Sequence, residues 1–352
     1  MKIGFIGLGN VGGKLAGSLL RNGWDLTVRD LDRDAARPFL DGGARWGESP
    51  AAMAAAADAV ITCLPSPAAS AAVLEAEDGL LAALGPGKIW MEMSTTDEAE
   101  VRRLGALVEA KGAAAVDCPV SGGCHRAATG NISIFAGCGR PVFERVLPIL
   151  TTLGRRVLHT GPLGSASVLK VVTNYLATAN LVSCAEALTV SKAAGMDLAT
   201  AYEAIRISSG NSFVHETESQ VILNGSRDIS FTMDLVKKDI GLFQAVADRA
   251  GAPLDLNPKL IEIFDDGIAR YGERELSPNI FKPFDDVRAE LPFAVAGDSV
   301  VEDLDQLRIE VERGAGPVCD GLEEADVLLH EVHRERDVAR AVQDHLALRL
   351  MH

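Results

Sequence analysis

The stretch from Lys2 to Asp30 bounds the fold more tightly than any other part of the chain. A short β-type run, Lys2 to Ile6, passes directly into Gly7-Leu8-Gly9-Asn10-Val11-Gly12 and then into the helical pattern of Gly13 to Asn22. A second β-type run, Asp25 to Val28, leads to Asp30. Three glycines between a strand and a helix have separate uses. Gly7 permits the tight turn, Gly9 lets a ligand approach the backbone, and Gly12 lets helix and strand pack closely. The unpaired N–H groups at the helix start then face any anion lying over the loop. A GxGxxG run alone also occurs in ordinary glycine-rich turns. Here a strand precedes it, a helix follows, and an acid stands about 20 residues on, which is the spacing of a dinucleotide-binding βαβ unit.

The alternation continues through Ala59 to Leu64, Lys88 to Met93, Ala114 to Asp117 and Ile132 to Ala136, each preceded by a helical stretch. This predicts an α/β fold with a parallel, doubly wound sheet, in which ligands bind at the carboxyl ends of strands. At the second strand's end, Asp30 can accept hydrogen bonds from both ribose hydroxyls and would repel a 2′-phosphate, so NAD is the expected cofactor. Arg29 and Arg33 flank it and either could turn onto a phosphate, although Leu31 takes the position directly after the acid. The predicted cofactor-binding set is Gly7, Leu8, Gly9, Asn10, Val11, Gly12 and Asp30, with Leu64 and Pro65 from a later strand end. Beyond Asp117, the run Cys118-Pro119-Val120-Ser121-Gly122-Gly123 offers a hydroxyl and consecutive N–H groups in a flexible turn, which suits a carboxylate. Taken alone, it reads equally well as an ordinary Ser-Gly-Gly loop.

From Gly161 to Gly195 the chain carries apolar and small residues without a helix breaker, the pattern of one unusually long helix. Lys170 and Asn174 stand four apart and therefore share a face one turn from each other. A lone lysine in such a helix commonly snorkels from an end. A buried one must be neutral, paired or in use. Further helical segments follow at Leu198 to Ile207, Val214 to Leu223, Met233 to Ala250 and Pro258 to Tyr271, with no convincing strand. The predicted organisation is a dinucleotide-binding Rossmann domain over 1–162, an all-helical domain for substrate and dimerisation over 163–288, and an acidic, partly helical extension over 289–352. The long helix joins the first two, so that Lys170, Asn174, the Ser121 turn and Lys238 beside Asp239 share a cleft.

Composition excludes several classes. A net charge of -15 over 352 residues disfavours nucleic acid and anionic membrane surfaces. The six cysteines show no paired CxxC spacing and read as reduced thiols. No HxxH or carboxylate cluster suggests a metal site. Met1 leads straight into a strand, and no apolar run approaches the length of a membrane span, so a soluble cytoplasmic protein is expected.

Several blocks in fixed order resemble the β-hydroxyacid dehydrogenase family, and most closely its 3-hydroxyisobutyrate dehydrogenases: GFIGLGNVG, CLPSP, MSTTDEA, DCPVSGG, GNISIFAGC, LKVVTNYLATANLVSCAEAL with GMD after it, and FTMDLVKKDIGL. The resemblance runs from Lys2 to about Tyr271. It implies that Lys170 is the catalytic lysine and Asn174 its partner on the substrate. It also implies that Ser121, Gly122 and Gly123 hold the substrate carboxylate, that Thr95 lines the nicotinamide side, and that Lys238 stands near cofactor and substrate. The implied reaction is hydride transfer between NAD and a small 3-hydroxy carboxylate, in a homodimer or homotetramer. A lysine acts as a base near neutrality only if its pKa falls, and both desolvation and the like charge of Lys238 would lower it.

The chain departs from the resemblance at Gly123-Cys124-His125-Arg126, where many members carry small apolar residues. Arg126 could pair with a second anionic or hydroxylated group on a larger substrate; otherwise it is a surface arginine paired with one of many acids. Alternative activities are a tartronate semialdehyde reductase, an imine reductase, in which an Asp or Tyr generally replaces the lysine, and a non-catalytic NAD-binding module. After about Ala289 the resemblance ends, and the extension reads as a solvated tail, a packing helix or a subunit contact.

Overall fold

The computed structural model describes residues 1–226 and 229–281, all within one compact unit, Met1–Leu291. The extension predicted over 289–352 lies outside the described residues. One sheet organises the first half. Its strands are β1 (Lys2–Ile6), β2 (Asp25–Arg29), β3 (Arg45–Trp46), β4 (Ala59–Thr62), β5 (Ile89–Glu92), β6 (Ala114–Asp117), β7 (Val120–Ser121), β8 (Ile132–Gly137) and β9 (Gly154–Gly161). They lie in the order β3-β2-β1-β4-β5-β6-β8-β7, with β9 paired to β8. From β3 to β6 all neighbours are parallel. The central strands are near-continuous apolar runs because both faces are covered. Ile3, Phe5, Ile61, Ile89, Met91 and Val116 pack on one side, and Ile6, Val60, Trp90 and Ala115 on the other.

The sheet differs from the sequence expectation in its later strands. β8 runs antiparallel to β6 and β7. Between β6 and β8 the chain has only the two-residue β7 and the five-residue helix Cys124–Ala128, too little for the crossover that a parallel return needs. β9, with Arg155 and Arg156 exposed, lacks the apolar alternation that marks a strand and was not predicted. It pairs parallel to β8 after the helix Arg140–Leu153.

The predicted long helix is Ser165–Ala193, 29 residues between Gly164 (φ +93°) and Gly195 (φ +75°). Its start is anchored from the sheet: Asp117 Oδ2, at the end of β6, accepts from Ser167 N–H at 2.8 Å and satisfies a first-turn donor. The expectation that no segment reaches membrane-span length fails for this helix, which is long and apolar enough by length and composition. Counting uninterrupted apolar residues missed it, because Lys170, Asn174 and Glu186 break the run without lowering its average much. It packs on β8 and on the helix Met233–Ala250 and contributes Leu181 and Leu188 to a third core with Met233, Val236, Ile240, Leu260 and Phe264. Helices Leu198–Arg206 and Leu256–Tyr271 complete this part. The segment predicted as one helix over Val214 to Leu223 is instead a π turn, His215–Ser219, leading into Gln220–Leu223. The buried His215 ring sits there between the Tyr202 carbonyl and the Ser219 hydroxyl.

Candidate active site

The loop after β1 is shaped by its glycines as the spacing requires. Gly7 has φ +99°, and a Cβ there would lie 2.2 Å from the Cys63 carbonyl oxygen. A Cβ on Gly12 would fall 2.0 Å from the Gly7 carbonyl oxygen, so only glycine lets the helix Gly12–Arg21 begin against the turn. A Cβ on Gly9 would meet nothing within 4 Å, leaving that side of the loop open. Leu8 is buried, Val11 half-buried, and Asn10 exposed at the rim. Asp30 turns back onto the loop, accepting from Leu8 N–H at 2.6 Å through Oδ2 and from Asp32 N–H at 3.0 Å through Oδ1. Each oxygen keeps a lone pair for a ribose hydroxyl. Arg29 is committed elsewhere, donating to the Gly47 and Glu48 carbonyls at 2.8 and 2.7 Å. Arg33 lies over the Trp46 ring, 5.0 Å from its centroid. An open glycine loop at a helix start, with a carboxylate beside it, fits the pyrophosphate and adenosine ribose of NAD.

The next two strand ends are tied by a buried network. Leu64 N–H donates to the Ser94 hydroxyl at 2.7 Å, and Ser94 in turn donates from both its hydroxyl and its N–H to Glu92 Oε1. Burial raises the Glu92 pKa, with the Ser94 hydrogen bonds opposing. This network holds the Leu64-Pro65 turn against the Thr95 turn. Lys238 reaches across from the helix Met233–Ala250 and donates to the Thr95 carbonyl at 3.1 Å.

Lys170 and Asn174 meet as their four-residue spacing predicts, with Nζ donating to Asn174 Oδ1 at 2.8 Å. The Asn174 amide donates in turn to Asp239 Oδ2, and Asp239 pairs with Lys238 at 3.1 Å. The four side chains form a chain from the long helix to Met233–Ala250, and Asp239 fixes which end of the Asn174 amide faces the lysine. Lys170 is buried, and desolvation is the main reason its pKa drops to about 8; Lys238 pulls the same way and Asp239 opposes. Glu92 was absent from the predicted site, and Asp239 entered it only as the neighbour of Lys238. Asp239 carried a signal, since it stands on the apolar stripe of Met233, Val236 and Ile240, where a carboxylate requires a partner.

The Ser121 turn depends on glycine: Gly122 has φ +125° and Gly123 φ +84°. Neither the Ser121 hydroxyl nor the Arg126 guanidinium has a hydrogen-bond partner among the described residues. The alternative of an arginine paired with a surface acid is not what the fold adopts. Instead Arg126 lies over the Phe213 ring, 4.6 Å from its centroid.

Known proteins fit this arrangement in order. Residues 2–161 match the profile of the NAD-binding domain of 6-phosphogluconate dehydrogenase, and residues 164–280 that of the NAD-binding domain of NADP-dependent 3-hydroxyisobutyrate dehydrogenase. The 2-(hydroxymethyl)glutarate dehydrogenase of Eubacterium barkeri is 33% identical over 270 residues, 76% of this chain and 90% of that one. The chain belongs to the β-hydroxyacid dehydrogenase family. As a β-hydroxyacid dehydrogenase it is an NAD-dependent oxidoreductase acting on hydroxyl groups. An NAD-dependent L-serine dehydrogenase of Pseudomonas aeruginosa is 32% identical over 284 residues, 78% of this chain and 95% of that one. Among solved structures, a 3-hydroxyisobutyrate dehydrogenase from Mycobacterium tuberculosis with L-serine superposes with a TM-score of 0.73 at 25% identity, covering 80% of this chain and 98% of that one. The family's Rossmann sheet and helical C-terminal part are therefore shared.

Proposed function

We infer that the protein oxidises a small 3-hydroxy carboxylate to its semialdehyde, with Lys170 as general base. The observation that carries this reading is a buried amine, brought to a pKa of about 8, hydrogen-bonded to an asparagine whose orientation is itself fixed. Such an amine is partly unprotonated near neutrality, as a general base requires. The named substrates of the relatives, 2-(hydroxymethyl)glutarate, L-serine and 3-hydroxyisobutyrate, share one unit: a CH2OH group on the carbon that bears the carboxylate.

In this reading the Ser121 hydroxyl and the glycine turn hold the carboxylate, which points the primary alcohol at Lys170. Bound NAD supplies the acceptor for the hydride that leaves the alcohol carbon with its C–H electron pair. Lys170 takes the hydroxyl proton as the carbonyl forms, and then passes it to solvent. Asn174 keeps its carbonyl toward the lysine throughout, because its amide is held by Asp239. In the reverse direction the same lysine donates. Lys238, bound to the Thr95 backbone, keeps the helical part against the loop that would line the nicotinamide.

The test is NADH formation from 3-hydroxyisobutyrate by the wild type and by Lys170→Ala. The variant is expected to retain NAD binding and lose about 10²–10⁴-fold in kcat, the range of a general acid–base group. Near-normal turnover in Lys170→Ala would end the proposed mechanism. The same reading takes the protein as a homodimer or homotetramer, supported by the exposed Leu169, Leu176 and Val190 of the long helix.

A further inference from the structure

Two described arginines are half-buried, Arg29 and Arg126; every other described arginine is exposed. Arg29 satisfies its guanidinium with two carbonyls. Arg126 does not. Its charge rests on the face of Phe213, which attracts a cation but accepts from none of its five N–H donors in the usual manner. In a chain of net charge -15, many arginines hold a carboxylate, among them Arg102, Arg103, Arg140 and Arg249. Arg126 holds none among the described residues, and its nitrogens are not among the buried unpaired atoms, so its donors stay available to an anionic ligand.

Its position says which part of a ligand that would be. The Arg126 stem packs over the turn that follows Ser121: a Cβ on Gly122 would lie 3.0 Å from Arg126 Cδ and 3.8 Å from Nη1. Phe213 comes from the helical part, just before the π turn, so the pair bridges the two parts of the fold beside the carboxylate turn. A substrate with C1 at the Ser121 turn and its C3 hydroxyl at Lys170 has one variable group left, the substituent on C2.

We propose that Arg126 and Phe213 form the subsite for the C2 substituent, and that this substituent is anionic, so that the substrate is a 3-hydroxy acid with a second carboxylate. The assignment rests on the proposed oxidation for the placement of C1 and C3. The guanidinium fork takes the distal carboxylate through paired N–H donors, and Phe213 covers the methylene groups leading to it. The same charge repels a cationic C2 group, so L-serine, with its ammonium there, is selected against.

The test uses three primary alcohols that differ at C2: 2-(hydroxymethyl)glutarate, the matched 2-(hydroxymethyl)pentanoate in which a methyl replaces the distal carboxylate, and L-serine. The expected order of kcat/KM in the wild type is diacid, neutral acid, serine, with the diacid favoured over the neutral acid by about 10–100-fold, the range of a charge-assisted hydrogen bond. Arg126→Gln should bring that ratio close to one, and Arg126→Lys should restore only part of it. Equal constants for diacid and neutral acid in the wild type would overturn the proposal. So would an Arg126→Gln loss of equal size on both, which would put the guanidinium on the carboxylate common to all substrates. Calorimetric titration of the same compounds onto the NAD-bound protein reads the preference without turnover. Selective binding of the diacid with oxidation of none of the three would sink the proposed reaction while keeping the subsite.

Discussion

Burial lowers the Lys170 pKa to about 8, Lys238 acts in the same direction, and Asp239 acts against both. The base form increases as pH rises, so log kcat/KM for oxidation should climb with pH through an apparent pKa near 8 and then level. Lys238→Met removes a like charge and should move that limb to higher pH. Asp239→Asn removes the opposing carboxylate and should move it to lower pH. Steady-state profiles of the two variants therefore separate in opposite directions, and profiles superimposable on wild type would show that neither neighbour tunes the base. Asp30 makes a second prediction at this scale. Its carboxylate stands against the glycine loop while Arg29 is held by carbonyls; if it meets the ribose there as proposed, Asp30→Ser should narrow the preference for NAD over NADP, mostly in cofactor KM. A wild type that already favours NADP would show that Arg33, on Trp46, outweighs the acid.

At the scale of elements, the β4 and β5 ends move together because Glu92 holds Ser94 and Ser94 holds Leu64. Glu92→Leu leaves buried Ser94 donors unpaired, costing about 1–3 kcal/mol, and should raise the KM for NAD by releasing the Leu64-Pro65 turn. Glu92→Gln keeps an acceptor and removes the charge. Burial holds the folded pKa of Glu92 above its unfolded value of 4.5, so the native state retains a proton that the unfolded chain gives up. That stabilisation is complete below about 4.5 and is lost as pH rises through the folded pKa. Glu92→Gln should thus match wild type in Tm at low pH and gain on it as pH rises; a Tm difference independent of pH would show that Glu92 does not titrate differently on folding.

For the molecule as a whole, the fold class was legible because strands buried on both faces and a glycine-marked first turn leave few arrangements. What escaped notice shares a cause. β3 and β7 have two residues each, too few for any periodicity, and β9 is set by its pairing to β8 rather than by its own pattern. In the site, Lys170 and Asn174 were visible because one helix carries both, whereas the Asp239 contact spans 65 positions and the Arg126 to Phe213 contact joins two separate parts of the fold. The long helix is also where assembly would show. Leu176 and Val190 are 53% and 67% exposed, a costly arrangement for a monomer if they form one patch. Light scattering should give a dimer or tetramer, and Leu176→Glu with Val190→Glu should dissociate it; a monomeric wild type would remove the subunit-contact reading. The Asp117 hydrogen bond has a last consequence. One carboxylate stands four positions before Ser121 and grips the helix three positions before Lys170. In the proposed binding mode both ends of the substrate would be measured from that single fixed point. A ruler of that kind reads the interval between carboxylate and alcohol. A 2-hydroxy acid, one carbon too short, would bring its hydroxyl up short of the amine however well its carboxylate was seated.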